Sequence, residues 1–289
     1  MTTLTDFPRS LPAAEELNGK RIGIFGLSAN PPTCAHRNIV AHIRSLHIFD
    51  ELWILPVYHH IYDSKRNLEA YEHRIAMCEM SLIDSDPANA KNTLVRISRL
   101  EKVVCELQLS QNDGKMRTRV GTVDILEYVM AVYPGMEWNL VLGTDTYSDI
   151  LGGKWKRAED ILKQANLHVF CRQNPSDMKL INAPEYARVS LYQIPGLIEV
   201  SSTNIRNRCP PIIFGSFASL FSETAYARDI LHSKYLDYVT EDDLHPGVLA
   251  YIKAKQLYFM SPESLIFRRR WFMLILANIA TAIVYSRKN

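Results

Sequence analysis

Six short runs of β-branched, aromatic and aliphatic residues recur between residues 21 and 171, and they constrain the fold more than any other feature. RIGIFG (21–26), ELWILPV from Glu51, residues 94–97, residues 103–109, WNLVLG from Trp138 and LHVFC from Leu167 are all rich in such residues. Runs of this length and composition read as strands, the most apolar of them buried on both faces. Between them lie helical stretches at residues 35–46, 70–83 and 122–133. The second carries Met77, Met80 and Ile83 at helical spacing, and the third stops at Pro134 and Gly135. Residues 84–92 form a polar loop, and QNDGK (111–115) predicts a hairpin turn. Strands alternating with helices at this pitch predict an α/β fold with a mainly parallel sheet. In such a sheet, ligands bind beyond the carboxyl ends of the strands, where chain order reverses.

The remaining composition narrows the function classes. The chain of 289 residues is 47% hydrophobic, which suits one large domain or two small ones and excludes a disordered or collagenous plan. A net charge of +2 is too weak to advertise nucleic-acid binding. The five cysteines are far apart and form no Cys-x-x-Cys pair, so neither a disulfide framework nor a zinc site is expected, and a reducing compartment suits them. Residues 1–19 lack an apolar core and carry Asp6, Glu15 and Glu16, which reads as a polar lead-in rather than a targeting peptide.

The loop after the first strand, GLSANPPTCAH (26–36), is the first place to look for chemistry. Gly26 permits a tight turn and close approach to a ligand. Pro31 and Pro32 stiffen the loop, so Asn30, Thr33 and His36 need little ordering on binding. The helix opening near Ala35 aims its amides back at the same space, which favours anions, and His36 in its first turn can donate to a phosphate oxygen. Taken alone, a histidine after a strand is more often structural than functional. The loop lacks Gly-x-x-x-x-Gly-Lys and is no Walker A loop. A second anion-ready helix start is EVSSTNIRNR (199–208), in which Ser201, Ser202 and Thr203 are capping residues. Arg206 follows one turn in and can pair bidentately with phosphate. Asp145, two residues past Gly143 at the end of WNLVLG, is placed to accept from ribose hydroxyls or to cap the following TYSDIL helix. Lys65 and Arg66 in IYDSKRN read equally as phosphate cations or as a solvated pair.

Together these residues resemble a family. NPPT-x-x-H (30–36) joined to SST-x-IR (201–206) looks like the nucleotidylyltransferase superfamily, and within it the nicotinate and nicotinamide mononucleotide adenylyltransferases. EHRIAM (72–77), LGTDTYSDILGGKWKRAEDIL (142–162) and HPGVLAYIKAKQLY (245–258) are similar to further segments of that family. The resemblance implies a Rossmann-like parallel sheet with flanking helices, of nucleotidylyltransferase type, over residues 20–258. It implies transfer of AMP from ATP to a pyridine mononucleotide with release of pyrophosphate, Mg²⁺ entering with ATP. His36 and Arg206 would be catalytic. Gly26, Ser28, Asn30, Thr33, Lys65, Gly143, Asp145, Ser201, Ser202 and Thr203 would hold ATP, and Thr122 and Trp155 the mononucleotide, Trp155 by stacking on the pyridine ring. No protein-held metal site is implied.

Several positions depart from the family pattern. Thr33 replaces a first histidine, a variation the family permits, and Ala29 stands where many members have Phe. Arg119 and Gly121 stand where Tyr or Trp is usual; an arginine there suits an acidic base such as nicotinate, and base preference stays open. About forty residues separate Arg206 from Pro246, and the apolar CPPIIFGSFASLF within them reads as a lid or an oligomer contact. Alternative readings are a pantetheine-phosphate adenylyltransferase, a lipid-pathway cytidylyltransferase, or a membrane-tethered nucleotide sensor without turnover.

Residues 259–289 lie beyond the family pattern. Within them, residues 271–286 are apolar but for Asn278, Thr281 and Ser286, with three arginines before them and Arg287 and Lys288 after. As a C-terminal apolar helix this stretch is about 24 Å long, against a hydrocarbon core of about 30 Å. Snorkelling cations suit a short anchor, so a membrane anchor is the favoured reading over a buried or oligomer-forming helix. The catalytic domain would then sit in the cytosol on an intracellular membrane, the alternative being a soluble cytoplasmic protein. Residues 261–289 hold five basic side chains and one acidic, so the other 260 residues carry a net −2.

Overall fold

The computed structural model describes residues 11–59, 68–83, 93–111, 120–171, 183–194, 196, 200–208, 239–255 and 257–258. The chain divides into two units, Met1–Glu199 and Val200–Asn289. Lys65, Arg66, Arg119, the QNDGK turn beyond Gln111, the CPPIIFGSFASLF segment and the tail from residue 259 lie outside the described residues.

The first unit is built on six strands: β1 (Ile22–Leu27), β2 (Glu51–Pro56), β3 (Leu94–Ile97), β4 (Trp138–Gly143), β5 (Asn166–Cys171) and β6 (Val189–Gln193). All five pairings are parallel, in the order β3-β2-β1-β4-β5-β6. Helices α1 (Ala14–Leu17), α2 (Cys34–Leu46), α3 (Tyr71–Leu82), α4 (Leu100–Gln111), α5 (Thr122–Val132), α6 (Thr144–Leu151) and α7 (Ala158–Gln164) connect and flank them. Side chains alternate across each strand, so the two sheet faces build two cores. Ile24, Trp53, Leu140 and Leu167 pack with Leu17 and with α4 to α7, including Leu100, Val104, Val123, Ile150 and Ile161. Phe25, Ile54, Val141 and Phe170 pack on the other face with Val40 and Ile43 of α2 and Cys78 and Leu82 of α3. The helix layer changes face between β1 and β4, where strand order also reverses, and this is the fold's ligand crevice.

The expected α/β architecture holds, with two corrections. Residues 103–109, expected as a strand, lie in α4. Leu100, Val103 and Val104 are buried at helical spacing, and burial of that face outweighs the strand preference of the paired valines. The lead-in contributes the fully buried Leu17, and the Tyr133 hydroxyl donates to the Pro12 carbonyl over 2.9 Å. At the start of β2, Glu51 is 1% exposed and accepts from Lys20 at 2.9 Å, Arg96 at 2.8 Å and the Trp53 indole at 3.0 Å. Burial alone would raise its pKa, but these three donors hold the carboxyl below the ordinary glutamate range.

In the second unit, α8 (Ser202–Arg208) and α9 (Pro246–Lys255) are described, α9 burying Val248 and Ile252. Among the described residues no helix is long and apolar enough to cross a membrane.

Candidate active site at the strand switch point

Two glycines mark the crevice. Gly26 is the one exposed residue of β1 and Gly143 the one exposed residue of β4, on neighbouring strands. A Cβ added to either would meet nothing within 4 Å. Gly26 therefore serves by leaving space rather than by turning, since the turn falls later, at Ala29 with φ 51°. From Ala29 to Ala35, the loop and the first two residues of α2 are buried. Asn30 is 2% exposed, and its Oδ1 accepts the Glu69 amide at 3.0 Å.

Thr33 caps α2 and forms a reciprocal capping box with His36. The Thr33 backbone N–H donates to His36 Nδ1 over 3.0 Å, and the Thr33 hydroxyl lies 2.8 Å from the same nitrogen. A backbone amide can only donate, so Nδ1 must accept and the neutral ring carries its proton on Nε2. The imidazole is thereby fixed as an Nε2–H donor at the mouth of α2, whose first turn holds no acidic residue. His36 is half-buried, which suits a group that must meet an anion without full hydration.

On the opposite sheet face, Thr122 opens α5 behind Gly121, whose amide donates to Asp124 Oδ2 over 2.6 Å. Lys156 binds Asp124 at 2.8 Å and Arg157 binds Glu127, which ties the loop carrying Trp155 to the start of α5. Trp155 is half-buried against the core of that face. Asp145 is exposed in the first turn of α6; the N-cap is Gly143, and no side chain caps that helix. In the second unit, Ser201 accepts the Asn204 amide at 3.1 Å as the cap of α8, and Arg206 donates to Thr203 Oγ1 over 3.2 Å. Among the described residues no three His, Cys, Asp or Glu side chains converge as a metal site.

Two buried charges escaped the sequence reading. Arg74, inside EHRIAM, is 1% exposed and donates to the carbonyls of Glu69 and Ser28 at 2.9 Å each and of Tyr58 at 3.5 Å. Glu101 in α4 is 7% exposed, and its Oε1 accepts the Tyr58 amide at 2.9 Å. Burial pushes the Glu101 carboxyl up to about 8, against hydrogen bonds from the Tyr58 and His59 amides and the charge of Arg74. The available signal was a lone Arg and a lone Glu at positions flanked by core residues on α3 and α4.

A parallel sheet in this strand order, with a tautomer-fixed histidine and a capped helix at its switch point, defines a nucleotide-handling α/β protein. Residues 24–208 match the family model described as Cytidylyltransferase-like, and the chain belongs to that family. It is 26% identical over 187 residues to a probable nicotinate-nucleotide adenylyltransferase of Myxococcus xanthus, covering 65% of this chain and 80% of that protein. A protein of the same description from Salinibacter ruber is also 26% identical over 187 residues, covering 65% and 84%. Among solved structures, the nicotinic acid mononucleotide adenylyltransferase of Plasmodium falciparum complexed with NaAD shares the fold, at a TM-score of 0.55 and 20% identity, covering 83% of this chain and 98% of that one.

Proposed function

We propose that this protein transfers AMP from ATP to nicotinate or nicotinamide mononucleotide, giving deamido-NAD or NAD and pyrophosphate. The observation that carries the reading is the Nε2–H of His36, held by the Thr33 amide at the mouth of α2. The names of the bacterial relatives and the NaAD held by the Plasmodium protein support the choice of acceptor. A 5′-phosphate oxygen of the mononucleotide forms a bond to the α-phosphorus of ATP, and the bond from that phosphorus to the bridging oxygen breaks. Pyrophosphate leaves with the electron pair. The attacking oxygen is already anionic, so no general base is required, and alignment and charge stabilisation do the catalysis. His36 donates Nε2–H to the phosphate oxygens, and SST-x-IR gives Arg206 a bidentate role towards the same class of oxygen. Asp145 accepts from ribose hydroxyls, and Trp155 and Thr122 meet the pyridine nucleotide. Magnesium enters as part of the ATP co-substrate and neutralises phosphate charge.

The test is incubation of the purified chain with magnesium, ATP and each mononucleotide, following pyrophosphate and dinucleotide. His36→Ala and Arg206→Ala should each lower kcat about 100-fold. Absence of product with both mononucleotides, or near-normal turnover in both variants, overturns the assignment. A second reading concerns residues 259–289, where the concentration of basic charge beside an apolar stretch supports membrane attachment. Full-length protein that stays with membranes through carbonate extraction supports it, and full-length protein released by carbonate refutes it.

A further inference from the structure

Arg74, Glu101 and Asn30 form one buried polar set that grips three loop backbones at the crevice. Arg74 reaches the Ser28 carbonyl after β1, the Tyr58 carbonyl after β2 and the Glu69 carbonyl before α3. Asn30 returns from the β1 loop to the Glu69 amide. Glu101 completes the grip from the other sheet face by accepting the Tyr58 and His59 amides, so Tyr58 is held by its N–H and by its C=O. Each of the three side chains is more than nine-tenths buried, and burying an Arg and a Glu carries a desolvation cost that apolar side chains would avoid. A core built for stability alone gains little from them; a loop that must keep one geometry gains three fixed backbone positions.

We propose that Glu101 is a positioning residue for the adenylyl transfer, holding the Tyr58–His59 backbone so that, through Arg74, the β1 loop leading to His36 is set before substrates arrive. The proposal rests on the function reading above. It also makes the grip depend on the charge of Glu101. The ionised carboxylate accepts both amides as charge-assisted bonds, whereas the neutral acid carries a hydroxyl in place of one acceptor. The groups facing Glu101 are Arg74 and Tyr71 on α3, Tyr58 and His59 on the loop, and Cys105 on α4. Burial pushes Tyr58, Tyr71 and Cys105 upward from their ordinary values. With the Glu101 carboxyl raised to about 8, the change of charge falls inside an accessible pH range.

Glu101→Gln keeps the acceptor oxygen and mimics the neutral acid, so it separates positioning from bulk packing. Initial rates from pH 6.5 to 9 should show wild type rising through an apparent value near 8, while the variant stays flat. The two should agree within about twofold at pH 6.5 and differ in kcat about fivefold at pH 9, with KM little changed. Backbone exchange at Tyr58 and His59, compared between the two proteins at pH 9, should be slower in wild type. Superimposable pH–rate profiles overturn the proposal even if Glu101→Gln shifts Tm, because a packing role moves stability without moving the profile. If neither mononucleotide gives product, the function reading has failed, and the exchange comparison still decides the grip. Equal exchange then overturns that as well, and slower exchange in wild type retains it.

Discussion

Two glycines of β1, three residues apart, should respond oppositely to substitution. At Gly23 an added Cβ falls 2.7 Å from Phe49 Cδ2 and Cε2 and 3.1 Å from Leu52 Cδ1. The aromatic ring is itself buried in the face packed by α2 and α3, so it has little room to give. Overpacking of this kind costs about 1–3 kcal/mol, which at about 2–4 °C per kcal/mol lowers Tm by roughly 2–12 °C. At Gly26 the added Cβ meets nothing within 4 Å, and the position is exposed at the crevice end of the strand. The Cβ of Gly26→Val is therefore unobstructed, and a β-branched residue suits a strand, so Tm should hold or rise slightly. The same side chain occupies space that a bound nucleotide approaches, and a displacement of about 1 Å at the reacting centre costs about 100-fold, or about 2.7 kcal/mol in kcat/KM. Thermal melts of both variants and rates of pyrophosphate release on the folded protein provide the comparison. Wild-type kcat/KM in Gly26→Val would remove the crevice from consideration as the site, and a destabilised Gly26→Val would contradict the open geometry itself.

Glu51→Ala should destabilise the first unit by about 3 kcal/mol, the lower end for a broken buried pair. Lys20 and Arg96 are 37% and 40% exposed and can rehydrate, whereas the indole N–H of Trp53 at 1% cannot. Because the folded carboxyl sits below its ordinary value, its contribution is present above that value and lost as pH falls through the folded one. Urea midpoints against pH should lose that acid limb in Glu51→Gln. His168 acts in the same direction by a different cause: burial lowers its imidazole from 6.5 to about 4. The unfolded chain takes the proton first, so stability should fall as pH drops from 6.5 to about 4, and His168→Gln should remove that slope in Tm.

The strands were legible because parallel strands buried on both faces leave near-continuous apolar runs, as RIGIFG and WNLVLG do. The β1 loop was legible for a different reason: Thr33 and His36 act through a local capping box, three residues apart. What the sequence hid is long-range. Arg74 is held by the carbonyl of Ser28, 46 residues earlier, and Glu101 by the amide of Tyr58, 43 residues away, partners that no local pattern announces. Edge strand β6 escaped because it has no buried residue and so no apolar run to announce it. Residues 103–109 misled because adjacent valines carry strand preference, while the burial spacing that decides the matter depends on the sheet beneath.

The two crevice glycines open onto opposite faces, which bears on how a two-substrate reaction is organised. Gly26 alternates with Phe25 and Leu27, so its open side belongs to the face covered by α4 to α7. Gly143 pairs with Phe170 and follows Val141 at the same parity, so its open side belongs to the face of α2 and α3. The mouth of α2 and His36 belong with Gly143, and the start of α5 and Trp155 belong with Gly26. A phosphate donor approaching over one face and a pyridine nucleotide over the other would meet at the ends of β1 and β4. Gly143→Val should then raise KM for ATP about tenfold or more with little change for the mononucleotide; Gly26, which the family resemblance alone assigns to ATP, should on this geometry do the reverse as Gly26→Val, a tenfold step being about 1.4 kcal/mol. Gly143 has φ −82° and ψ 164°, which any residue adopts, so valine there strains no backbone. Equal effects of both variants on both substrates would show that the ligands share one face, and the division of labour across the sheet would have to be abandoned.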